Sequence, residues 1–263
     1  MHIIQSAHNP IIKLLNQLNN NHFRQKHKQT LLEGNHLVNE WVKSKAKNIY
    51  CLVLSQDGLS NSMFNPYFNQ FKIHVIDNKL WQEITSLPTN DILAVINFAD
   101  KEFNVNLNSC GVILENIQDS GNMGTIIRTA CAANYDWILA IGGASVYSPK
   151  VIRAGMGGHL GIEIYQTSLN NLFIVQEQLI KAKTNLLLTM ASSAKNIYQI
   201  DLPQYHSWLI GSEGLGLSST WFDLDNITKV SIPQNPKLES LNAASAATIC
   251  LYEKVRKEFI KEL

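Results

Sequence analysis

The chain has 263 residues, 45% of them hydrophobic and 16% charged, with 22 Lys and Arg against 21 Asp and Glu. That length allows one large domain or two ordinary ones, and no apolar run approaches the roughly 20 residues of a membrane-spanning helix. No basic stretch precedes an apolar one at the start, so no signal peptide is expected and a soluble, cytoplasmic protein is the expectation.

In chain order, Pro10–Leu18 predicts an amphipathic helix opened by its proline. Leu31–Trp41 predicts a second helix, with Leu32, His36, Val38 and Trp41 at helical spacing. Tyr50–Leu54 and Lys72–Ile76 read as strands, Asn78–Thr85 as helical and Ile92–Phe98 as a further apolar strand. The polar, turn-rich stretch Ala99–Ser109 reads as a linker. The expected organisation is therefore a small α/β domain over residues 1–98, a linker over 99–109 and a second domain over 110–263.

In the second domain, strands are expected at Gly111–Leu114, Trp137–Ile141, Ile162–Tyr165, Leu186–Met190, Trp208–Ile210 and Asn226–Ile232. Helices are expected at Gly124–Ala133, Pro149–Ala154, Asn171–Ala182 and Leu241–Phe259. Apolar strands alternating with helices predict a mostly parallel sheet covered on both faces.

Charge is uneven along the chain. Residues 1–50 hold Lys13, Arg24, Lys26, Lys28, Lys43, Lys45 and Lys47 against Glu33 and Glu40. A basic surface of this kind attracts phosphate backbones, although such a run can equally be a solvated helix face. Cys51, Cys110, Cys131 and Cys250 are scattered beside apolar runs, which points to buried thiols and away from a zinc site or disulfide framework.

Three polar segments each follow a strand-like run: Asn116–Arg128, Leu209–Ser218 and Val230–Ser245. Loops at the carboxyl ends of strands in an open α/β sheet are where ligands bind. In the first, Asn122 falls near the start of a helix, with Arg128 further along it; free amides and a guanidinium there suit phosphate or ribose oxygens. Taken alone, Asn122 could merely cap the helix while Arg128 faces solvent. The second has three glycines around Glu213 that let backbone approach a flat ligand, but neither a dinucleotide fingerprint nor a Walker lysine. Glu213 could also simply complement a helix dipole. In the third, Pro233 and Pro236 stiffen a loop, Ser240 could cap the terminal helix, and the small residues Ala243–Ala247 permit close packing.

The order D-S-G-N-x-G-x-I-x-R-T-A, then G-S-E-G-x-G-L-S, then I-P…E-S-L-N-x-x-x-A across Asn116–Ala247 resembles the SpoU/TrmH branch of the SPOUT RNA methyltransferases. The stretch from Ser148 to Gly157 also looks like the family's segment after the first motif, and the resemblance extends over Leu107–Glu258. The N-terminal part looks like the ribosomal-protein-like RNA-binding domain that many members carry. Ser120 stands where members commonly have Pro; the change loosens the loop and removes no functional group.

The resemblance implies 2′-O-methylation of ribose in RNA with S-adenosylmethionine as donor and without a metal, by a dimer whose C-terminal α/β domain contains a deep trefoil knot. It implies that Gly211, Ile232 and Leu241 hold the donor's adenosine, and that Asn122, Arg128, Glu213, Ser240 and Asn242 surround the reacting atoms. A guanidinium with a pKa above about 12 is a poor base at neutral pH. Arg128 is therefore assigned to gripping phosphate and orienting the hydroxyl, Asn122 and Asn242 to positioning it, Ser240 to the ribose and Glu213 to fixing its loop. Arg24, Lys26 and Lys28 are the expected RNA contacts of the first domain. The separate N-terminal domain favours a large-subunit rRNA guanosine as target, with a tRNA ribose or a non-catalytic RNA-binding role as alternatives. A metabolic nucleotide-binding enzyme is disfavoured by the missing glycine fingerprint.

Overall fold

The computed structural model describes residues 2–85, 91–104, 106, 108–190, 195–212 and 214–261, and divides into two compact units. The first comprises Met1–Ala99 together with Tyr147–Leu160, and the second Asp100–Val146 with Gly161–Leu263.

In the first unit, β1 (Ile3–Ile4), α1 (Pro10–Leu18), α2 (Asn21–His27), β2 (Gln29–Glu33), α3 (Asn35–Lys43), β3 (Ile49–Ser55), β4 (Ile73–Ile76), α4 (Asn78–Ile84) and β5 (Ile92–Asn97) follow in order. The strands form a mixed sheet in the order β1-β4-β3-β5-β2, with β5 antiparallel to both β2 and β3. Alternation along the strands divides the core. Leu31, Cys51, Val53, Leu93 and Val95 pack with Ile12 and Leu15 of α1 and Leu80 and Trp81 of α4. Leu32, Leu52, Leu54, Ile92 and Ala94 pack with Val38 and Trp41 of α3 and with Phe64.

The structure corrects the reading of this unit at three points. Leu31–Trp41 is not one helix: its first three residues finish β2, Gly34 turns the chain at φ 120°, and α3 starts only at Asn35. The helix α2, absent from the sequence reading, is started by the Asn20 side chain accepting from the His22 amide and stopped by Lys28 in the left-handed region at φ 51°. Arg24 is withdrawn from the set of expected phosphate contacts. It is only 5% exposed, and its guanidinium donates to the Leu18 and Asn19 carbonyls at 3.0 and 2.9 Å, satisfying orphan acceptors at the end of α1. Lys26 is exposed, while the half-buried Lys28 donates to Gln25 Oε1 and lies 5.8 Å from the Phe98 ring centroid. The chain rejoins this unit at Tyr147. The Phe98 and Tyr147 rings stack at 4.4 Å, Arg153 of α6 (Pro149–Gly155) pairs with the buried Glu33 at 2.8 Å, and Ile152 enters the core.

The second unit contains β6 (Gly111–Glu115), α5 (Ser120–Ala132), β7 (Trp137–Ile141), β8 (Glu163–Thr167), α7 (Leu172–Lys181), β9 (Leu186–Met190), β10 (Ser207–Ile210), β11 (Ile227–Ser231) and α8 (Ala243–Lys261). Its six strands are all parallel, in the order β11-β9-β10-β6-β7-β8. One face buries Ile113, Leu139, Leu188 and Leu209 beneath Leu172, Val175 and Leu179 of α7. Helix α8 packs against α5 and β10. Part of the expected linker belongs to this unit: Phe103 meets Trp137 and Tyr165 edge-on at 5.1 and 5.3 Å, and Lys101 pairs with Glu163. No described helix is long and apolar enough to cross a membrane.

The amino end of this sheet is closed by a buried polar chain. The Pro203 carbonyl can only accept, so His206 carries its proton on Nδ1, 2.8 Å away, and Nε2 accepts from the Tyr135 hydroxyl at 3.0 Å. Trp208 Nε1 donates in turn to the Tyr135 oxygen. Burial, and secondarily Lys254, lower the His206 pKa from 6.5 to about 4. The folded state thus favours neutral imidazole, and the unfolded chain takes up the proton first as pH falls. His206 should cost the protein about 3 kcal/mol of stability between pH 6.5 and 4. Denaturant unfolding at a series of pH values should show this loss in the wild type and a smaller one in His206→Gln; equal losses would remove His206 as the cause.

Candidate active site

In the second unit the chain steps from β6 through β7 to β8, then returns to build β9, β10 and β11 on the other side of β6. Such a reversal of strand order opens a crevice at the carboxyl ends of parallel strands. A cavity of about 190 Å³ lies there, lined by Thr189 and Met190 from the end of β9 and Ile210 from the end of β10. Its remaining wall comes from the two following loops and the start of α8: Gly211, Ser212, Gly216, Leu217, Ile232, Gln234, Ser240, Leu241, Ala243 and Ala246.

Glycine makes this wall possible. A Cβ on Gly211 would collide with the backbone of Gly216 and Leu217, so the loop can fold back over residue 211 only if no side chain is there. The fold-back is held by the Gly216 amide donating to the Ser212 carbonyl at 2.9 Å, with Gly216 at φ 67°. Aliphatic Ile210, Leu217, Ile232 and Leu241 beside the Ser212 hydroxyl and exposed backbone suit a flat heteroaromatic ring with polar edges, so the residues present fit an adenosine.

Asp119, not Asn122, caps α5, accepting from the Asn122 amide at 2.8 Å, so Asn122 occupies the third helical position. Nor does Ser240 cap α8. That role falls to Asn242, whose Oδ1 accepts from the Ala244 and Ser245 amides at 3.0 and 3.1 Å. The opposite end of the same carboxamide donates to Asn122 Oδ1 at 3.1 Å, joining the first and third polar segments.

The structure therefore brings Gly211, Ile232, Ser240 and Leu241 around one cavity and Asn122 against Asn242. Arg128 is exposed, does not line the cavity, and its guanidinium has no hydrogen bond or ion pair among the described residues. Six residues after Asn122 on a helix of 3.6 residues per turn, it points about 240° around the axis from it. Glu213 lies outside the described residues. Sequence reasoning missed Thr189 and Met190; the signal was a polar residue closing the otherwise apolar run of β9.

The geometry agrees with the comparisons. Residues 109–252 match the model of the SpoU rRNA methylase family, and residues 9–94 that of the MRM3-like substrate binding domain. The chain belongs to the SpoU rRNA methylase family. It is accordingly an RNA methyltransferase. An uncharacterised tRNA/rRNA methyltransferase of Synechocystis is 30% identical over 97% of this chain and 94% of its own length. The 23S rRNA (guanosine(2553)-2′-O)-methyltransferase of Bacillus subtilis is 28% identical, over 95% and 97%. The crystal structure of an AdoMet-bound rRNA methyltransferase from Sinorhizobium meliloti shares the fold with a TM-score of 0.82 at 24% identity, covering 97% of this chain and 98% of that one.

Gly211→Val should weaken S-adenosylmethionine binding by at least about 100-fold, because the collision with Gly216 forces the wall open. Calorimetry on the folded variant reads the effect directly, and normal donor affinity would dissociate the cavity from the donor.

Proposed function

We propose that this protein methylates the 2′-oxygen of a ribose in rRNA, with a guanosine of the large subunit as target. The observation that carries the reading is the glycine-walled cavity at the carboxyl ends of β9 and β10, beside the Asn122–Asn242 hydrogen bond. The two similar enzymes named for rRNA substrates, and a match to a substrate-binding domain model over residues 9–94, support rRNA as the substrate. Cytoplasmic action accords with a ribosomal target.

The donor supplies an electrophilic methyl carried on a positively charged sulfur, so the chain's task is alignment and removal of the hydroxyl proton. Gly211, Ile232 and Leu241 hold the adenosine in this reading, and Ser240 at the rim contacts the target ribose. Asn242 fixes Asn122 at the first turn of α5, and Glu213 steadies its loop. Arg128 grips RNA phosphate and orients the hydroxyl. Because Arg128 projects away from Asn122 on its helix, a homodimer in which it serves the partner subunit's site accommodates both residues. A knotted passage of the C-terminal segment, as the family resemblance implies, belongs to the same reading.

Mapping ribose-methylated positions in total RNA from cells with and without the gene tests the assignment: one 23S-type guanosine should lose its methyl group. Arg128→Ala should lower transfer by at least about 100-fold and leave donor affinity unchanged, since the guanidinium touches RNA and not adenosine. Unchanged turnover would refute that role.

The exposed Lys26 and the half-buried Lys28 remain the proposed phosphate contacts of the first unit. RNA affinity should fall steeply with salt as neutralised phosphates release counterions. Changing both lysines to Ala should flatten the log–log slope by up to about two contacts' worth. A slope identical to the wild type would make this stretch an ordinary solvated surface.

A further inference from the structure

We propose that Glu115 is a positioning residue for methyl transfer, its carboxylate holding shut the glycine loop that walls the donor cavity. The proposal rests on the reading of that cavity as the donor site. Glu115 is the last residue of β6 and only 4% exposed. It has no cationic partner among the described residues; its hydrogen-bond donors come from one short segment. Its oxygens accept the Ser218 amide at 3.2–3.3 Å, the Ser218 hydroxyl and Trp221 Nε1 at 2.6 Å. Trp221 is itself fully buried, so the carboxylate and the indole form a fixed post.

What this post holds is the end of the cavity wall. Leu217, immediately before Ser218, and Gly216 both line the cavity, and Gly216 is bridged back to Ser212. The loop is therefore fastened at its start by β10 and at its finish by Glu115, while Leu215 between them is 85% exposed. An apolar side chain at position 115 could fill the same volume, but it could not accept from three donors at once. A buried carboxylate that gathers donors from a single loop segment fixes that segment's position, because each unmet donor would be costly. Glu115 also directly precedes Asn116, which opens the segment leading to Asn122, with Asn116 at φ 55° and its amide bonded to the Ile141 carbonyl. One side chain thereby sets the cavity wall against the strand end from which the reacting segment departs.

The test is donor binding and steady-state kinetics on the full-length protein. Glu115→Gln keeps the shape but turns one acceptor into a donor facing other donors. It should raise the S-adenosylmethionine Kd and KM by about tenfold, and leave kcat at saturating donor and RNA affinity within about threefold. Ser218→Ala, which removes a single hydroxyl and should not compromise folding, should raise donor KM about threefold, with Ser218→Thr restoring it. The double variant should bind no worse than Glu115→Gln alone, because both changes release the same fastening. Amide exchange of the segment around Ser218 should quicken in Glu115→Gln. Variants that are folded and bind donor like the wild type would overturn the assignment while leaving the donor cavity standing. A loss confined to kcat would also overturn it. A wild-type protein that takes up no S-adenosylmethionine would instead bring down the donor reading and this assignment with it.

Discussion

The carboxamide of Asn242 is the point on which the candidate site depends. Its oxygen is committed to two amides at the start of α8, which leaves its nitrogen to donate, and the acceptor it finds is Asn122 Oδ1 on α5. A helix cap is ordinarily a local device; this one also ties two segments 120 residues apart. The tie exists because β6 and β11 run parallel within one sheet, so the loops leaving their ends emerge on the same side. Aspartate at 242 could still cap α8 but could not donate to Asn122. Alanine could do neither.

The two ends of the catalytic sheet are built on opposite principles. At the amino end, Trp208, Tyr135, His206 and Pro203 form a chain of hydrogen bonds in which each proton has one place to go, and burial keeps the imidazole neutral. Such a network resists rearrangement. At the carboxyl end, the cavity is walled by glycine backbone and largely aliphatic side chains, and Glu115 and Asn242 fix the loops that enclose it. Backbone amides and hydroxyls left open there can serve a ligand, whereas the Tyr135 hydroxyl, the His206 imidazole and the Trp208 indole at the amino end are committed to one another.

Much of this was legible from residue order. The central strands are short apolar runs bounded by turns, and Trp137–Ile141 and Leu186–Met190 coincide with β7 and β9 because burial on both faces leaves no other pattern. The helix Pro10–Leu18 was equally plain from its proline and its apolar stripe. The polar segments of the site stood out because glycine, serine and asparagine have no reason to interrupt apolar runs except to turn or to bind. Leu31–Trp41 misled because Leu31 and Leu32 continue the helical spacing of Val38 and Trp41, and only Gly34 divides strand from helix. Arg24 misled for a different reason. Its place among basic neighbours suggested solvent, but the orphan carbonyls at the end of α1 are only six residues away and claim its guanidinium.

Residues whose role depends on distant chain could not be read at all. Glu115 follows the apolar run Gly111–Leu114, and nothing local marks it as the acceptor for Ser218 and Trp221, more than 100 residues later. Asn242 was assigned to the reacting centre while Ser240, two residues before it, was offered as a possible helix cap; the cap falls to Asn242 because its carboxamide reaches two amides and still has a donor left over. The general lesson concerns donor and acceptor inventory. A side chain with one function can be placed from its neighbours, whereas one that both accepts and donates can satisfy a local and a remote partner together, and only the fold reveals the second.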